Sequence, residues 1–210
     1  MTDDPDEVLV YADYVCPFCY LGRESLAQYR EERDEPLSIE WHPFDLRSQK
    51  RGPDGEIDDS VDDGKDEEYF DQVRENVARL RDRYDADAML GIDEVPDVDS
   101  LDTQAASLFV QREFPEYWAD FDDALYRALW EEGEAIDDPD VLADIAESAG
   151  IDGEAVRDAI GDDDLRAEVF EQFEAAKQQG VTGVPTFAYE GYAARGAVPP
   201  EQLRRLVEGQ

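Results

Sequence analysis

Apolar residues are spaced in two ways along this chain. Near both ends they come in short dense runs, and between those runs they recur at intervals of three and four. Val8-Leu9-Val10-Tyr11-Ala12-Asp13-Tyr14 predicts a strand, because valine, leucine and tyrosine gather there after a polar start. Pro17 stands where a first helical turn begins, a position that tolerates its missing N–H. The segment from Phe18 to about Arg33 predicts a helix with Leu21, Leu26 and Tyr29 facing inward. Leu37, Ile39 and Trp41 alternate with Ser38, Glu40 and His42 and predict a second strand over Leu37–Phe44. Residues 47–64 are polar and rich in turn formers, Gly52-Pro53-Asp54-Gly55 among them, and predict a surface loop.

From about Lys65 to Gln179 the spacing predicts packed amphipathic helices. Their predicted core stripes are Tyr69/Val73/Val77/Leu80, Leu108/Phe109/Phe114, Phe121/Leu125/Leu129, Val141/Leu142/Ile145, Val156/Ile160 and Val169/Phe170/Phe173. Asp138-Pro139 reads as an acidic cap followed by proline at the first helical position, and Gly150 and Gly180 fit as helix stops. Beyond Gly180, Val184–Tyr189 is strand-like, Glu190-Gly191 a turn and Tyr192–Arg195 a short return strand. Pro199-Pro200 opens a last helix through Leu203, Leu206 and Val207. The order β-α-β, a helical block, then β-β-α predicts an α/β protein. Residues 1–64 and 180–210 form one discontinuous unit in this reading, and residues 65–179 an inserted helical unit.

Composition adds a setting. A length of 210 residues suits one domain with a sizeable insertion, and 41% hydrophobic residues can fill a core. The net charge of −37 comes from 56 acidic residues against 19 basic ones, of which only Lys50, Lys65 and Lys177 are lysines. Such a surface repels itself in dilute buffer, and in molar salt the Debye length falls to about 3 Å and the repulsion is screened. Abundant acid with scarce lysine is a halophile-type composition, so unfolding is expected at lower temperature in dilute buffer than in ~2 M KCl. The same field excludes nucleic acid and anionic membranes as partners. No segment approaches the ~20 apolar residues of a membrane span. Met1-Thr2-Asp3-Asp4-Pro5-Asp6-Glu7 lacks the basic start and apolar stretch of a secretory signal, so the expected compartment is the cytoplasm.

That setting gives weight to the only two cysteines, because disulfides in a reducing cytosol are mostly transient and catalytic. Cys16-Pro17-Phe18-Cys19 is a CxxC pair placed between a predicted strand and a predicted helix. At a helix start, unpaired N–H groups and the positive end of the dipole favour an anion. A thiolate is an anion, and it is the attacking species in disulfide exchange. Cys19, one turn on, lies on the same face and can close a small ring with Cys16. A CxxC pair can also be half of a zinc site, but such sites want four ligands and His42 is the only histidine. A metal-bridged dimer sharing two pairs, and two buried bystander thiols, are the competing readings. The second signal is Val181-Thr182-Gly183-Val184-Pro185-Thr186-Phe187. A proline opening a strand cannot donate to the ladder and belongs at an edge or special turn. The trans preference before proline is only ~0.5–1 kcal/mol, so a cis Val184–Pro185 bond is open to it.

Taken together these residues resemble the DsbA family of the thioredoxin superfamily, in its FrnE-like branch. The resemblance rests on Asp13-Tyr14-Val15-Cys16-Pro17-Phe18-Cys19-Tyr20-Leu21-Gly22 and Gly180-Val181-Thr182-Gly183-Val184-Pro185-Thr186-Phe187. Leu125-Tyr126-Arg127-Ala128-Leu129-Trp130, running through Asp137 to Val141-Leu142-Ala143, and Gly196-Ala197 before the last helix support it. It implies a thioredoxin-like fold with a helical insertion and a disulfide oxidoreductase activity. It further implies Cys16 as exposed nucleophile, Cys19 as buried resolving thiol, and a cis Pro185 facing them. Pro17, Phe18, Gly183, Val184 and Pro185 are then the substrate-contacting residues. No cofactor is implied beyond the redox-active Cys16–Cys19 disulfide, and no metal. The implied partners are protein or low-molecular-weight thiols and disulfides, with a redox partner that regenerates the pair in a monomer or homodimer.

Two departures qualify the resemblance. Phe18 stands where the periplasmic oxidants of the family often carry histidine, and phenylalanine offers the thiolate no hydrogen bond or charge. A less oxidising pair than DsbA itself is therefore expected. Ala106, in Asp102-Thr103-Gln104-Ala105-Ala106, occupies a position where relatives often carry histidine. A neighbouring branch resembles 2-hydroxychromene-2-carboxylate isomerases and kappa-class glutathione transferases, which use one serine or cysteine to activate a small thiol. The retained Cys19 argues for exchange over that chemistry. Trp41 and His42 read first as structural residues of a strand face and second as contacts near the site.

Overall fold

A computed structural model describes residues 6–209 of the chain. The outer ends of the predicted discontinuous unit, residues 1–5 and 210, lie outside the described residues. Strand β1 (Asp6–Ala12) and strand β2 (Leu37–Pro43) pair in parallel, with Val10 opposite Trp41. Parallel neighbours need a crossover, and helix α1 (Pro17–Glu31) supplies it. The helical block follows as α2 (Glu67–Arg83), α3 (Leu101–Glu113), α4 (Pro115–Trp130), α5 (Pro139–Ser148), α6 (Gly153–Ile160) and α7 (Asp163–Gln178). Strands β3 (Thr186–Tyr189) and β4 (Tyr192–Arg195) then pair antiparallel and complete a sheet in the order β2-β1-β3-β4, before helix α8 (Pro200–Glu208). Mixed α/β architecture and the predicted order of elements are both present.

The sheet has two distinct faces. Val8, Val10 and Ala12 of β1 alternate onto one face with Trp41 and Phe187, and all five are buried. Helices α1 and α8 pack together over this core, with Leu21, Leu26, Tyr29 and Leu203 buried. On the other face Tyr11 and Phe44 pack with Ala176 of α7 and with Val181. His42 stacks on Tyr11 there, 4.9 Å between ring centroids, and its Nε2 lies 3.3 Å from Glu40. It belongs to the strand face turned away from Trp41.

Several boundaries differ from the pattern. β1 ends at Ala12, because Asp13 turns its carboxyl inward to collect hydrogen bonds instead of continuing the ladder. β3 begins at Thr186, two residues after Val184, since Pro185 has no N–H for a ladder. The helical block is interrupted over residues 84–100, where only Ile92–Glu94 makes a 3-10 turn and Pro96 blocks a longer helix. Tyr69, predicted as core, is 44% exposed beside Phe70, while Val77 and Leu80 carry the buried stripe of α2. The predicted caps are in place: the Asp138 side chain accepts from Asp140 N–H, and Gly150 and Gly180 have φ of +86° and +84°.

Candidate active site

Strand β1 delivers the chain to the N-terminus of α1, and Cys16 is the capping residue of that helix, extended at φ −89°. Its backbone N–H donates to Asp13 O at 3.1 Å, and its own carbonyl accepts from Cys19 N at 2.9 Å. Pro17 occupies the first helical turn, where a missing N–H costs nothing. Cys16 and Cys19 are free thiols 3.6 Å apart. The Cys16 Sγ donates to the Val184 carbonyl at 3.7 Å, which brings the proline loop across about 170 positions of sequence onto the cysteine pair. The Val184–Pro185 bond is cis, and Gly196 N donates to Pro185 O at 2.7 Å, tying the loop to the end of β4.

Two details follow from this closeness. Cys16 is only 3% exposed, contrary to the exposed nucleophile that the resemblance implied, because the Val184 carbonyl and the half-buried loop lie against it. Gly22 is required by close approach: a Cβ there would sit 2.9 Å from Pro185 Cγ and 3.2 Å from Phe187 Cζ. Phe18 is half-buried against the core, and Gly183 holds the loop by accepting from Thr186 Oγ1 at 2.6 Å.

Beneath the pair, Cys19 is 1% exposed. Burial pushes its thiol well above the ordinary range, and the neighbouring Cys16 adds to the rise. Asp13 lies on the same side, also 1% exposed. Its carboxylate accepts from Ser100 Oγ at 2.5 Å, from Leu46 N at 2.9 Å and from Val15 N at 3.3 Å. Burial nevertheless raises its pKa from 3.8 to about 6, against the pull of those bonds. Ser100 precedes α3, and Gln104 one turn on exchanges bonds with the Phe44 backbone at 3.0 and 3.2 Å. The inserted helices are thus fastened to the cysteine end of the sheet. Ala106, on the same helix, is wholly buried.

On the opposite flank a cleft of about 270 Å³ runs between α1, β2 and α4 to Cys19 and Pro185. Its walls include Trp41, Trp118, Tyr126 and Arg23. Arg23 pairs with Asp122 at 3.2 Å and lies 4.7 Å over the Tyr126 ring. Tyr14 donates to Asp122 at 2.8 Å and also bonds Ser107 at 2.7 Å, while the Trp118 indole donates to Ser107 at 3.0 Å. Among the described residues, the buried side-chain polar atoms without a partner are Trp41 Nε1 and Tyr126 Oη, and both residues line this cleft. Leaving such a group unpaired costs about 1–3 kcal/mol.

The structure therefore gathers Cys16, Pro17, Phe18, Cys19, Gly183, Val184 and Pro185 at one end of the sheet. Arg23 and Ser100 were not singled out from the sequence, and Asp13 and Tyr126 entered only as members of the motifs that carry the resemblance. Asp13 did leave a signal: an acid closing an apolar strand just before a CxxC pair. Ser100 and Arg23 left none, since each acts through residues far away in the chain.

The DSBA-like thioredoxin domain family matches residues 7–208. The uncharacterized protein YwbO of Bacillus subtilis is 22% identical over 206 residues, which cover 97% of this chain and 96% of that one. A probable DsbA oxidoreductase of Streptomyces coelicolor superposes with a TM-score of 0.73 at 22% identity, covering 98% of this chain and 91% of its own. A 2-hydroxychromene-2-carboxylate isomerase superposes with a TM-score of 0.71 at 21% identity, covering 97% and 93%. With a CxxC pair at the first helix and a family match over nearly its whole length, the chain belongs to the DSBA-like thioredoxin domain family.

Proposed function

We propose that this protein exchanges its Cys16–Cys19 disulfide with thiol or disulfide substrates. The observation that carries this reading is the meeting of three parts in one place: two thiols 3.6 Å apart, the helix N-terminus beneath them, and the Val184 carbonyl 3.7 Å from Cys16 Sγ. The attacking species in such an exchange is the thiolate of Cys16, the residue that caps α1. That thiolate attacks a substrate disulfide, one substrate sulfur leaves, and a mixed disulfide forms. Cys19 then attacks Cys16, the second substrate sulfur leaves, and the pair ends oxidised; the reverse steps oxidise a substrate dithiol. A substrate sulfur that reaches Cys16 displaces the Val184 contact, so the Val184 and Gly183 backbone is where the substrate chain pairs. Pro17, Phe18 and Pro185 form the surrounding surface. No helix among the described residues is long and apolar enough to cross a membrane.

A second reading comes from the likeness to the isomerase: a small thiol activated at Cys16 for isomerisation or transfer. One pair of variants separates the two. Under exchange, Cys16→Ser abolishes insulin reduction and Cys19→Ser accumulates a mixed disulfide visible by mass. Turnover of a small-thiol substrate that survives Cys19→Ser, with no mixed disulfide, would favour isomerase or transferase chemistry. Exchange that survives Cys16→Ser would end the proposal.

A further inference from the structure

The cleft behind Cys19 contains an imbalance that the residues around it make conspicuous. Four aromatic side chains with polar atoms form its wall or touch it: Tyr14, Trp41, Trp118 and Tyr126. The polar atoms of Tyr14 and Trp118 are taken up by Asp122 and Ser107, while Trp41 Nε1 and Tyr126 Oη have no partner among the described residues. Both residues are at most 3% exposed, so solvent does not serve them. Buried polar groups are almost always paired, and an exception beside a reactive group calls for a partner that appears during the reaction.

The positions identify that partner. Cys19 and Arg23 occupy successive turns of one face of α1, and Asp122 and Tyr126 successive turns of α4. Arg23 bridges the two helices, 3.2 Å from Asp122 and 4.7 Å from the Tyr126 ring centroid. The Tyr126 ring also lies 4.7 Å from that of Tyr14, two residues before Cys16. Tyr126 is thereby in contact with two residues that flank the cysteines, and it lines the same cleft as Cys19. The nearby carboxylate, Asp122, is already engaged by Arg23 and Tyr14. After burial, the charge of Cys19 is the foremost influence on the Tyr126 hydroxyl.

We propose that Tyr126 is a built-in hydrogen-bond donor for the Cys19 thiolate, pairing with the sulfur only in the step in which that charge exists. The step rests on the exchange reading above. In the mixed disulfide Cys16 is bonded to a substrate sulfur. Cys19 releases its proton to solvent, and its thiolate attacks the Cys16 sulfur. The Cys16–Cys19 bond forms as the Cys16–substrate bond breaks, and the substrate leaves as a thiolate that takes up a proton. The Tyr126 hydroxyl, a donor supplied by the protein, then stabilises the charged intermediate in place of water.

The Cys16→Ser protein isolates Cys19 as its only thiol, and iodoacetamide alkylation followed by mass at a series of pH values reads its thiolate. Adding Tyr126→Phe, which removes only the hydroxyl, is expected to lower the alkylation rate about tenfold at a fixed pH below the plateau, the size of one hydrogen bond to a charged group. The plateau rate itself is expected to stay the same. The control is Tyr84→Phe, which removes another buried hydroxyl, bonded to Ala197 O at 2.7 Å beside the far half of α1. An unchanged rate in Tyr126→Phe overturns the proposal, and so does an equal loss in Tyr84→Phe. Because alkylation reads Cys19 alone, a failure of disulfide exchange in the wild-type protein is seen separately from a failure of the donor assignment.

Discussion

The two flanks of Cys19 are built on opposite terms. On the Asp13 side every buried group is bonded: one carboxylate collects a hydroxyl and two backbone N–H groups from three separate segments. On the Tyr126 side the wall is equally buried, yet two donors hold nothing. A satisfied network fixes geometry, because each lost bond exposes a desolvated group. An unsatisfied donor fixes nothing, and its worth depends on a partner that comes and goes. The first flank sets where the cysteines stand, and the second is free to respond to their charge.

Truncation should expose this contrast most strongly. Asp13→Ala leaves the Ser100 O–H and the Leu46 N–H without their acceptor, and is expected to destabilise the protein by about 2–4 kcal/mol in urea unfolding. Tyr126→Phe removes a buried hydroxyl with no bond to lose, and is expected to cost no stability and to gain up to about 1–3 kcal/mol. Equal losses in the two variants would erase the distinction between the flanks.

The pH dependence sharpens the same comparison. Asp13 keeps its proton up to about pH 6 in the folded chain, against 3.8 ordinarily. Between those values the folded state binds a proton that the unfolded state has released, so stability falls as pH rises from about 4 to about 6 and this contribution is flat above. The fall attributable to this one group is about 3 kcal/mol. Asp13→Asn should remove it, which is read as a difference between the pH curves of the two urea midpoints. Parallel curves would show that Asp13 does not titrate in this window.

A steric prediction concerns the approach of α1 to the proline loop. Gly22→Ala places a methyl 2.9 Å from Pro185 Cγ, a ring that cannot swing aside. A loss of about 1–3 kcal/mol is expected from overpacking, together with slower exchange, as measured by thermal unfolding and by insulin reduction. An unaffected Tm would mean that the loop yields, and that Gly22 does not set its distance from the cysteines.

Much of this was legible along the chain. Alternation and spacing located β1, α1, β2, the helical block and the closing β-β-α, because burial of one face imposes a period that any local window shows. Cys16, Pro17 and Cys19 were readable as a reactive pair for the same reason: a CxxC at a strand–helix junction is a local feature. Tyr69 shows where periodicity misleads, since the stripe on α2 extends further than the surface available to cover it, and its end is left 44% exposed.

The site's surroundings were not legible in that way. The sequence by itself determined a dithiol at a helix start, a proline loop more than 160 positions later, and an acidic composition. Only the tertiary structure decided that Val184 covers Cys16, that Asp13 is held by Ser100 and Leu46, and that Tyr126 and Trp41 stand unpaired in the cleft that reaches Cys19. The physical reason is that hydrogen-bond satisfaction and burial are sums over neighbours in space. No local pattern of residues records which donor will meet its acceptor and which will be left to wait for one.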